Sequence, residues 1–156
     1  MLVDFNTISD ESRIWIYASE KKLTNKQKDY ILNFMSFHLQ EWKAHNIPLT
    51  SAVTILENHF IIIALDESKN LATGCSIDTL QKNVQEIESH LSISLMNRLN
   101  IFYKIDLDDK IVCISTNKLR DKVNESTLFY DLTIQKKCDL LTWCKPIKEG
   151  WCKRFL

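Results

Sequence analysis

The sequence predicts an α+β fold, in which an antiparallel sheet carries helices on one face. Two kinds of segment alternate along the chain. Some are short and rich in β-branched and aromatic residues, and others are longer, with apolar residues every three or four positions. Their order through Ile105 is strand, helix, strand, strand, helix, strand. This is the split βαβ pattern, so we predict a ferredoxin-like core at about 13–115 and a C-terminal extension at about 116–156.

The first strand and the first helix follow from local sequence. Arg13–Ser19 is rich in β-branched and aromatic residues and predicts a strand. Thr24 and Gln27 have the spacing of a capping box, which opens a helix that we expect to run to about Ala44. Its apolar face comprises Ile31, Phe34, Met35, His38 and Trp42.

A hairpin is predicted next, with strands at Ser51–Glu57 and Phe60–Asp66. Asn58-His59 separates them, and asparagine tolerates the left-handed backbone angles that tight turns require. Because Phe60–Asp66 is apolar on both faces, we expect it to be the central strand.

A polar loop, Glu67–Gly74, leads into the second predicted helix. Its apolar stripe comprises Ile77, Leu80, Val84, Ile87 and Leu91. Ile101–Ile105 and Lys110–Ser115 predict two further strands around an acidic Asp108-Asp109 turn.

The extension is predicted to contain a strand at Leu128–Leu132 and a helix at Thr133–Cys144. We expect all 156 residues to form a single domain, since no linker or low-complexity segment interrupts the chain.

Composition excludes several classes of protein. With 20 Lys and Arg against 20 Asp and Glu, the net charge of zero argues against a dedicated nucleic-acid binder and opposes self-association only weakly, so a homo-oligomer is possible. The only glycines are Gly74 and Gly150, too few for a phosphate-loop ATPase or a dinucleotide-binding fold. No leader or membrane-spanning run is recognisable, and five cysteines suit a reducing compartment. We therefore expect a cytoplasmic protein without membrane contact.

Gly74-Cys75-Ser76-Ile77-Asp78 is the first candidate site. A glycine turn brings a thiol and a hydroxyl to a helix start, where backbone N–H groups stabilise anions. Gly74, Cys75, Ser76 and Asp78 are the candidate binding residues, and Cys75 is the candidate catalytic nucleophile. A purely structural interpretation competes, in which Ser76 caps the helix and Cys75 is a small apolar residue.

Metal sites are not predicted. The spacing of the later cysteines does not match zinc modules, and the acidic turn lacks the glycine and the later glutamate of a calcium loop. The cysteines are Cys113, Cys138, Cys144 and Cys152, and the acidic residues of the turn are Asp106, Asp108 and Asp109. His38 is interpreted as a half-buried histidine, with proton transfer as the alternative. No cofactor is expected.

Aromatic residues offer two more candidate surfaces. Trp15 and Tyr17 share one face of the first strand, and we expect the C-terminal extension to bury them rather than bases to stack on them. The tail interleaves aromatic with basic residues, a pattern typical of protein interfaces and of nucleic-acid binding, or of a tail clamped to its own domain. Its candidate binding residues are Trp151, Lys153, Arg154 and Phe155.

Three segments resemble a bacterial family of short uncharacterised proteins sometimes labelled "ABC transporter ATPase". They are Arg13-Ile14-Trp15-Ile16-Tyr17, Asp66-Glu67-Ser68 followed by Gly74-Cys75-Ser76-Ile77-Asp78, and Trp151 with Arg154-Phe155-Leu156. The resemblance spans nearly the whole chain and implies no activity or catalytic residues. The ATPase label conflicts with the absence of a phosphate loop.

The leading hypothesis is a non-catalytic binding or accessory module that docks on a protein or ribonucleoprotein partner through the C-terminal aromatic-basic segment or a sheet face. Direct binding of a nucleic acid is a variant of this hypothesis that the sequence supports less strongly. The alternative is an enzyme or small-ligand binder that uses the Gly74–Asp78 turn, with Cys75 as its thiol.

Overall fold

The structure, a computed structural model, describes residues 1–105 and 110–156. The chain divides into two compact units, residues 1–96 with 135–138 and residues 97–134 with 139–156. Helices and antiparallel sheets together confirm the α+β class. Single-domain behaviour stays a prediction, because two compact units can unfold together or separately.

The first unit contains a three-stranded sheet, a small hairpin and two helices. Its elements are β1 (Arg13–Ala18), α1 (Asn25–Gln40), β2 (Lys43–Ala44), β3 (Ile47–Pro48), β4 (Thr50–Leu56), β5 (Phe60–Asp66) and α2 (Gly74–Leu91). Strand β5 lies between β1 and β4 and is antiparallel to both. Its side chains from Phe60 to Leu65 are buried on both faces, as predicted for a central strand. The left-handed turn angles fall on Glu57 and Asn58, one residue earlier than expected.

Both helices pack on one face of this sheet. The shared core includes Ile31, Met35 and Leu39 of α1, Leu80, Val84 and Ile87 of α2, and Ile61, Ile63 and Leu65 of β5. Trp15 lies opposite Ile63 and Tyr17 opposite Ile61, so both aromatic residues face the helices and pack into the same core. The expectation that the C-terminal extension buries Trp15 and Tyr17 is therefore wrong.

Helix α1 ends at Gln40, earlier than the predicted end near Ala44. A small hairpin follows it, with Lys43 paired to Pro48 and Ala44 to Ile47. His45 and Asn46 both adopt positive φ angles, and together they form the two-residue turn.

The complete ferredoxin-like sheet is not confirmed. Its fourth strand would have to pair beside β1, and the predicted segment does form β6 (Asn100–Lys104), but in a separate sheet. The outer edge of β1 is hydrogen-bonded elsewhere. Ala18 N–H donates to the Leu95 carbonyl at 3.0 Å, and Ile14 N–H donates to the Gln135 carbonyl at 2.9 Å.

The second unit holds an antiparallel sheet of β6 and three further strands, β7 (Ile111–Ser115), β8 (Leu128–Tyr130) and β9 (Cys144–Pro146). Their order in the sheet is β7-β6-β8-β9. Strands β6 and β7 pair as predicted. The acidic turn between them, with Asp106, Asp108 and Asp109, lies outside the described residues.

The helix predicted at Thr133–Cys144 is wrong. A single 3₁₀ turn occupies Lys137–Leu141, and β9 begins at Cys144. The backbone of 135–138 is bonded instead to the first unit. Lys137 N–H donates to the Ser12 carbonyl and Cys138 N–H to the Asp10 carbonyl, each at 2.9 Å. Donors used in this way are not available for an α-helical ladder.

Candidate functional sites

The start of α2 is a capping box, and its cap residue differs from the predicted one. Thr73, not Ser76, is the N-cap residue, and its hydroxyl accepts a hydrogen bond from the Ser76 N–H at 3.1 Å. The buried Ser76 hydroxyl accepts from the Thr73 N–H at 2.8 Å and donates to the Thr73 carbonyl at 2.9 Å. The hydrogen bonds of Ser76 thus serve the cap rather than a ligand.

Polar side chains around this helix start hold the loop in place. The Trp42 indole N–H donates to the Ser76 carbonyl at 2.8 Å, and the Ala72 N–H donates to Glu67 at 2.9 Å. Hydrogen bonding from Ser68 lowers the pKa of Asp66. The contacts are structural, and none of them points to Cys75.

Cys75 is exposed, and space around the adjacent Gly74 is open. Among the described residues, no side chain hydrogen-bonds to its thiol. Asp78 pairs with Lys82 at 3.4 Å on the solvent side of the helix. In 1–105 and 110–156, no group of three His, Cys, Asp or Glu side chains is placed to hold a metal ion. The arrangement offers an accessible thiol at a helix start without an evident general base.

The tail packs on the core of the second unit. Trp151–Phe155 forms a 3₁₀ helix in which Cys152 is fully buried, and Trp151 and Phe155 are partly buried against the same core. The Arg154 guanidinium lies 4.9 Å from the Phe155 ring centre, while Lys153 and Arg154 are exposed. The rings thus clamp the tail to its own unit. A binding role for Trp151, Lys153, Arg154 and Phe155 stays a prediction.

Cys152 is unsuited to nucleophilic chemistry. Burial raises the pKa of its thiol, and the nearby Asp131 carboxylate raises it further. A thiol held protonated in this way is inert.

A partly buried ion pair in the second unit was not predicted from the sequence. Asp131 is buried, and its carboxylate lies 2.9 Å from the Lys145 ammonium. It also accepts hydrogen bonds from the Thr133 N–H at 2.9 Å and the Thr133 hydroxyl at 2.5 Å. Burial by itself raises the Asp131 pKa, but the Thr133 and Lys145 interactions outweigh it and leave the pKa below its ordinary value. The Asp-x-Thr spacing was a readable turn signal, whereas the lysine partner depends on the pairing of β8 with β9.

A connected set of rings lies on the helix layer of the first unit, and we call it the aromatic surface. Its members are Tyr30, Phe34, Phe37 and His38 of α1 and His90 of α2. His90 stacks on Tyr30 with ring centres 4.3 Å apart, and His38 lies 4.4 Å from Phe34. Phe37 is 71% exposed.

Sequence reasoning found only part of this surface. His38 is half-buried as predicted, but neighbouring rings hold its imidazole. The spacing of Tyr30, Phe34 and His38, four residues apart, was the available signal. The contribution of His90 required the antiparallel packing of α2 on α1.

An open groove of about 650 Å³ adjoins the aromatic surface. It is lined by Tyr30, Lys82, Gln85, Glu86, Ser89 and His90. The lining carries charges of both signs, from Lys82 and Glu86.

Comparisons with protein-family models, with curated proteins and with solved structures find no match to this chain. In the described part of the chain, no helix combines the length and the apolar character needed to cross a bilayer.

Proposed function

We propose that this protein is a non-catalytic binding module for a protein partner, with the aromatic surface as its docking site. Membership of the bacterial family named above and a cytoplasmic location are part of this proposal. The three strands β1, β5 and β4 with both helices keep the ferredoxin-like strand order, and we regard the unit as an incomplete version of that fold.

The exposure of aromatic rings in one connected patch carries the proposal. An isolated exposed hydrophobic residue is ordinary, but contiguous exposed rings are typical of interaction sites. Phe37 projects into solvent beside the half-buried Phe34 and His38. Its side chain could enter a partner's pocket at little entropic cost, as aromatic anchors commonly do.

A protein partner is favoured over RNA by the charges near the rings. Lys82 and Glu86 line the same groove, and Lys82 is already paired with Asp78 at 3.4 Å. Phosphate backbones are bound by Lys and Arg, and a neighbouring carboxylate repels the phosphates. A mixed rim around an apolar centre suits a protein surface.

The proposal is tested by capture from the native host with tagged wild-type, F37A and L141A proteins, with and without RNase. We expect wild type and L141A to capture the same stoichiometric protein partner. F37A should capture about tenfold less of it or lower still, and RNase should not change the amount captured. Leu141 is the matched control because it is 88% exposed and lies in the other unit.

Equal thermal melting of the three proteins would exclude a folding effect. Equal capture by F37A and wild type would contradict the proposal, as would recovery of no stoichiometric partner. RNase-sensitive capture would assign the contact to RNA instead.

The second candidate function keeps Cys75 as a reactive thiol, because its side chain is exposed at the second position of α2. It requires that native protein at neutral pH be alkylated at Cys75 faster than an unstructured peptide thiol. Equal or slower labelling would remove this candidate.

A further inference from the structure

The tail lies beside another 3₁₀ helix of the second unit. This helix, Thr116–Asp121, packs against Trp151–Phe155. Leu119 of the first helix and Cys152 of the second are both fully buried in the same core. The packing therefore places the exposed side chains next to Leu119 and Cys152 on one surface of the unit, although the two segments are distant in sequence.

This surface, which we call the basic surface, is rich in cations. The Lys148 N–H donates to the Glu125 carbonyl at 3.1 Å, which adds the segment before the tail to it. Its exposed cations are Lys118, Arg120, Lys122, Lys148, Lys153 and Arg154. Its exposed carboxylates are Asp121, Glu125 and Glu149. These side chains together carry an excess of three positive charges.

The cations of the basic surface are not neutralised by ion pairs. None of the six has a carboxylate partner within 4.0 Å among the described residues. The chain as a whole has equal numbers of acidic and basic side chains, so this excess is a local feature. Neighbouring like charges repel each other, and a bound anion relieves that repulsion.

Aromatic rings lie among these cations. Trp151 and Phe155 are only partly buried and meet edge to face, with ring centres 6.0 Å apart. The Arg154 guanidinium lies 4.9 Å from the Phe155 ring centre. Nucleic-acid bases stack on aromatic rings and on guanidinium planes.

We propose that the basic surface binds a single-stranded nucleic acid. The cations contact its phosphates, and the exposed parts of Trp151, Arg154 and Phe155 contact its bases. This site is distinct from the aromatic surface, where Lys82 is already paired with Asp78.

The geometry of the second unit favours a single strand over other polyanions. Its helices, within the described residues, are all short 3₁₀ segments, and none resembles the α-helix that enters the major groove of a duplex. An acidic protein would also be attracted to the cations, but it offers no bases to the rings beside them.

Fluorescence anisotropy of a labelled mixed-sequence RNA of about 12 nucleotides, titrated with the full-length chain, tests the proposal. We expect a Kd of about 10 μM at 50 mM salt. For three or four phosphate contacts, the Kd should rise by about 20- to 50-fold at 200 mM salt.

Two double variants test whether both helices contribute. K118Q/R120Q and K153Q/R154Q each remove two cations, and each should raise the Kd about fivefold or more and reduce its salt dependence. Equal thermal melting of variants and wild type would exclude a folding effect. If loss of Arg154 unfolds the tail, K118Q/R120Q decides the outcome.

The matched control is K21Q/K22Q, which removes the same charge from exposed lysines of the first unit. It should change the Kd less than about twofold. F37A should bind the RNA as wild type does, because the aromatic surface is not part of this site.

An RNA affinity that K118Q/R120Q leaves unchanged would overturn the proposal, because the two helices would then not form one site. So would equal weakening by K21Q/K22Q, or no binding at protein concentrations up to about ten times the expected Kd. A labelled peptide of about 12 glutamates that binds as tightly as the RNA would also overturn it, and would assign the basic surface to an acidic protein.

Discussion

At the residue scale, Gly150 shows how a single missing side chain permits packing. A Cβ added at this position would overlap the ring of Phe129, which is fully buried. The Gly150 φ angle is −110°, so close approach to the ring, and not backbone conformation, requires glycine here.

We expect G150A to lower the free energy of unfolding by about 1–3 kcal/mol, the usual cost of overpacking. Urea denaturation followed by circular dichroism measures this loss. G74A is the control, because its added Cβ would meet nothing within 4 Å, and it should leave stability unchanged or slightly raised. Equal stability of G150A and wild type would mean that Phe129 can move aside.

A second prediction at the residue scale concerns how the stability contributed by Asp131 depends on pH. Its pKa is lowered in the folded protein, so the ion pair stabilises the fold above the unfolded pKa of about 3.9 and is lost as pH falls through the folded value. D131N should therefore be about 1–3 kcal/mol less stable at pH 7. That deficit should shrink below about pH 4.

Unfolding free energies measured from pH 7 to pH 3 test this prediction. D78N is the control, because the Asp78–Lys82 pair is exposed and should contribute little at any pH. A deficit in D131N that does not change with pH would argue against the carboxylate charge as its cause.

At the element scale, α2 depends on its capping box. The Thr73 hydroxyl accepts the Ser76 N–H hydrogen bond, which satisfies a donor that no helical carbonyl can reach. We expect T73A to cost about 1 kcal/mol of unfolding free energy. The matched control is T79A. The Thr79 hydroxyl bonds only the Cys75 carbonyl within the helix, so its loss should have little effect.

The same helix shows what local sequence could specify. The apolar stripe placed α2 correctly, and Leu80, Val84 and Ile87 are buried as expected. The cap was assigned to Ser76 instead of Thr73, because Thr73 and Ser76 both have the side chain of a cap residue. Their backbone angles distinguish them, since Thr73 is extended and Ser76 is helical.

At the scale of the whole molecule, a distant segment closes the first unit. Lys137 lies 129 positions beyond Ile8, yet its ammonium donates to the Ile8 carbonyl at 2.8 Å and lies 5.3 Å from the Phe5 ring centre. Its side chain is only 12% exposed.

K137A should lower the free energy of unfolding by about 1.5–3 kcal/mol, as for hydrogen bonds from charged groups. The neighbouring variant K136A is a matched control, since the Lys136–Glu11 pair at 2.8 Å is more than half exposed and should contribute less than about 1 kcal/mol. Equal effects of the two variants would contradict a specific role for Lys137.

The sequence by itself determined the α+β class, both helices, the β4–β5 hairpin and the central position of β5. Each depends on contacts within one segment, namely apolar periodicity, a capping pattern or a short turn, which residues near in sequence specify. The candidate thiol at Cys75 was located in the same way.

Tertiary structure alone decided which strands share a sheet. β6 has the pattern of a fourth strand, but β1 pairs at its outer edge with Leu95 and Gln135 instead. The sequence also did not predict three other features, namely the Asp131–Lys145 pair, the stacking of His90 on Tyr30 and the packing of Thr116–Asp121 against the tail in the basic surface. Each depends on segments far apart in sequence, and the free energy that selects among such pairings comes from burial and hydrogen bonding in the assembled fold.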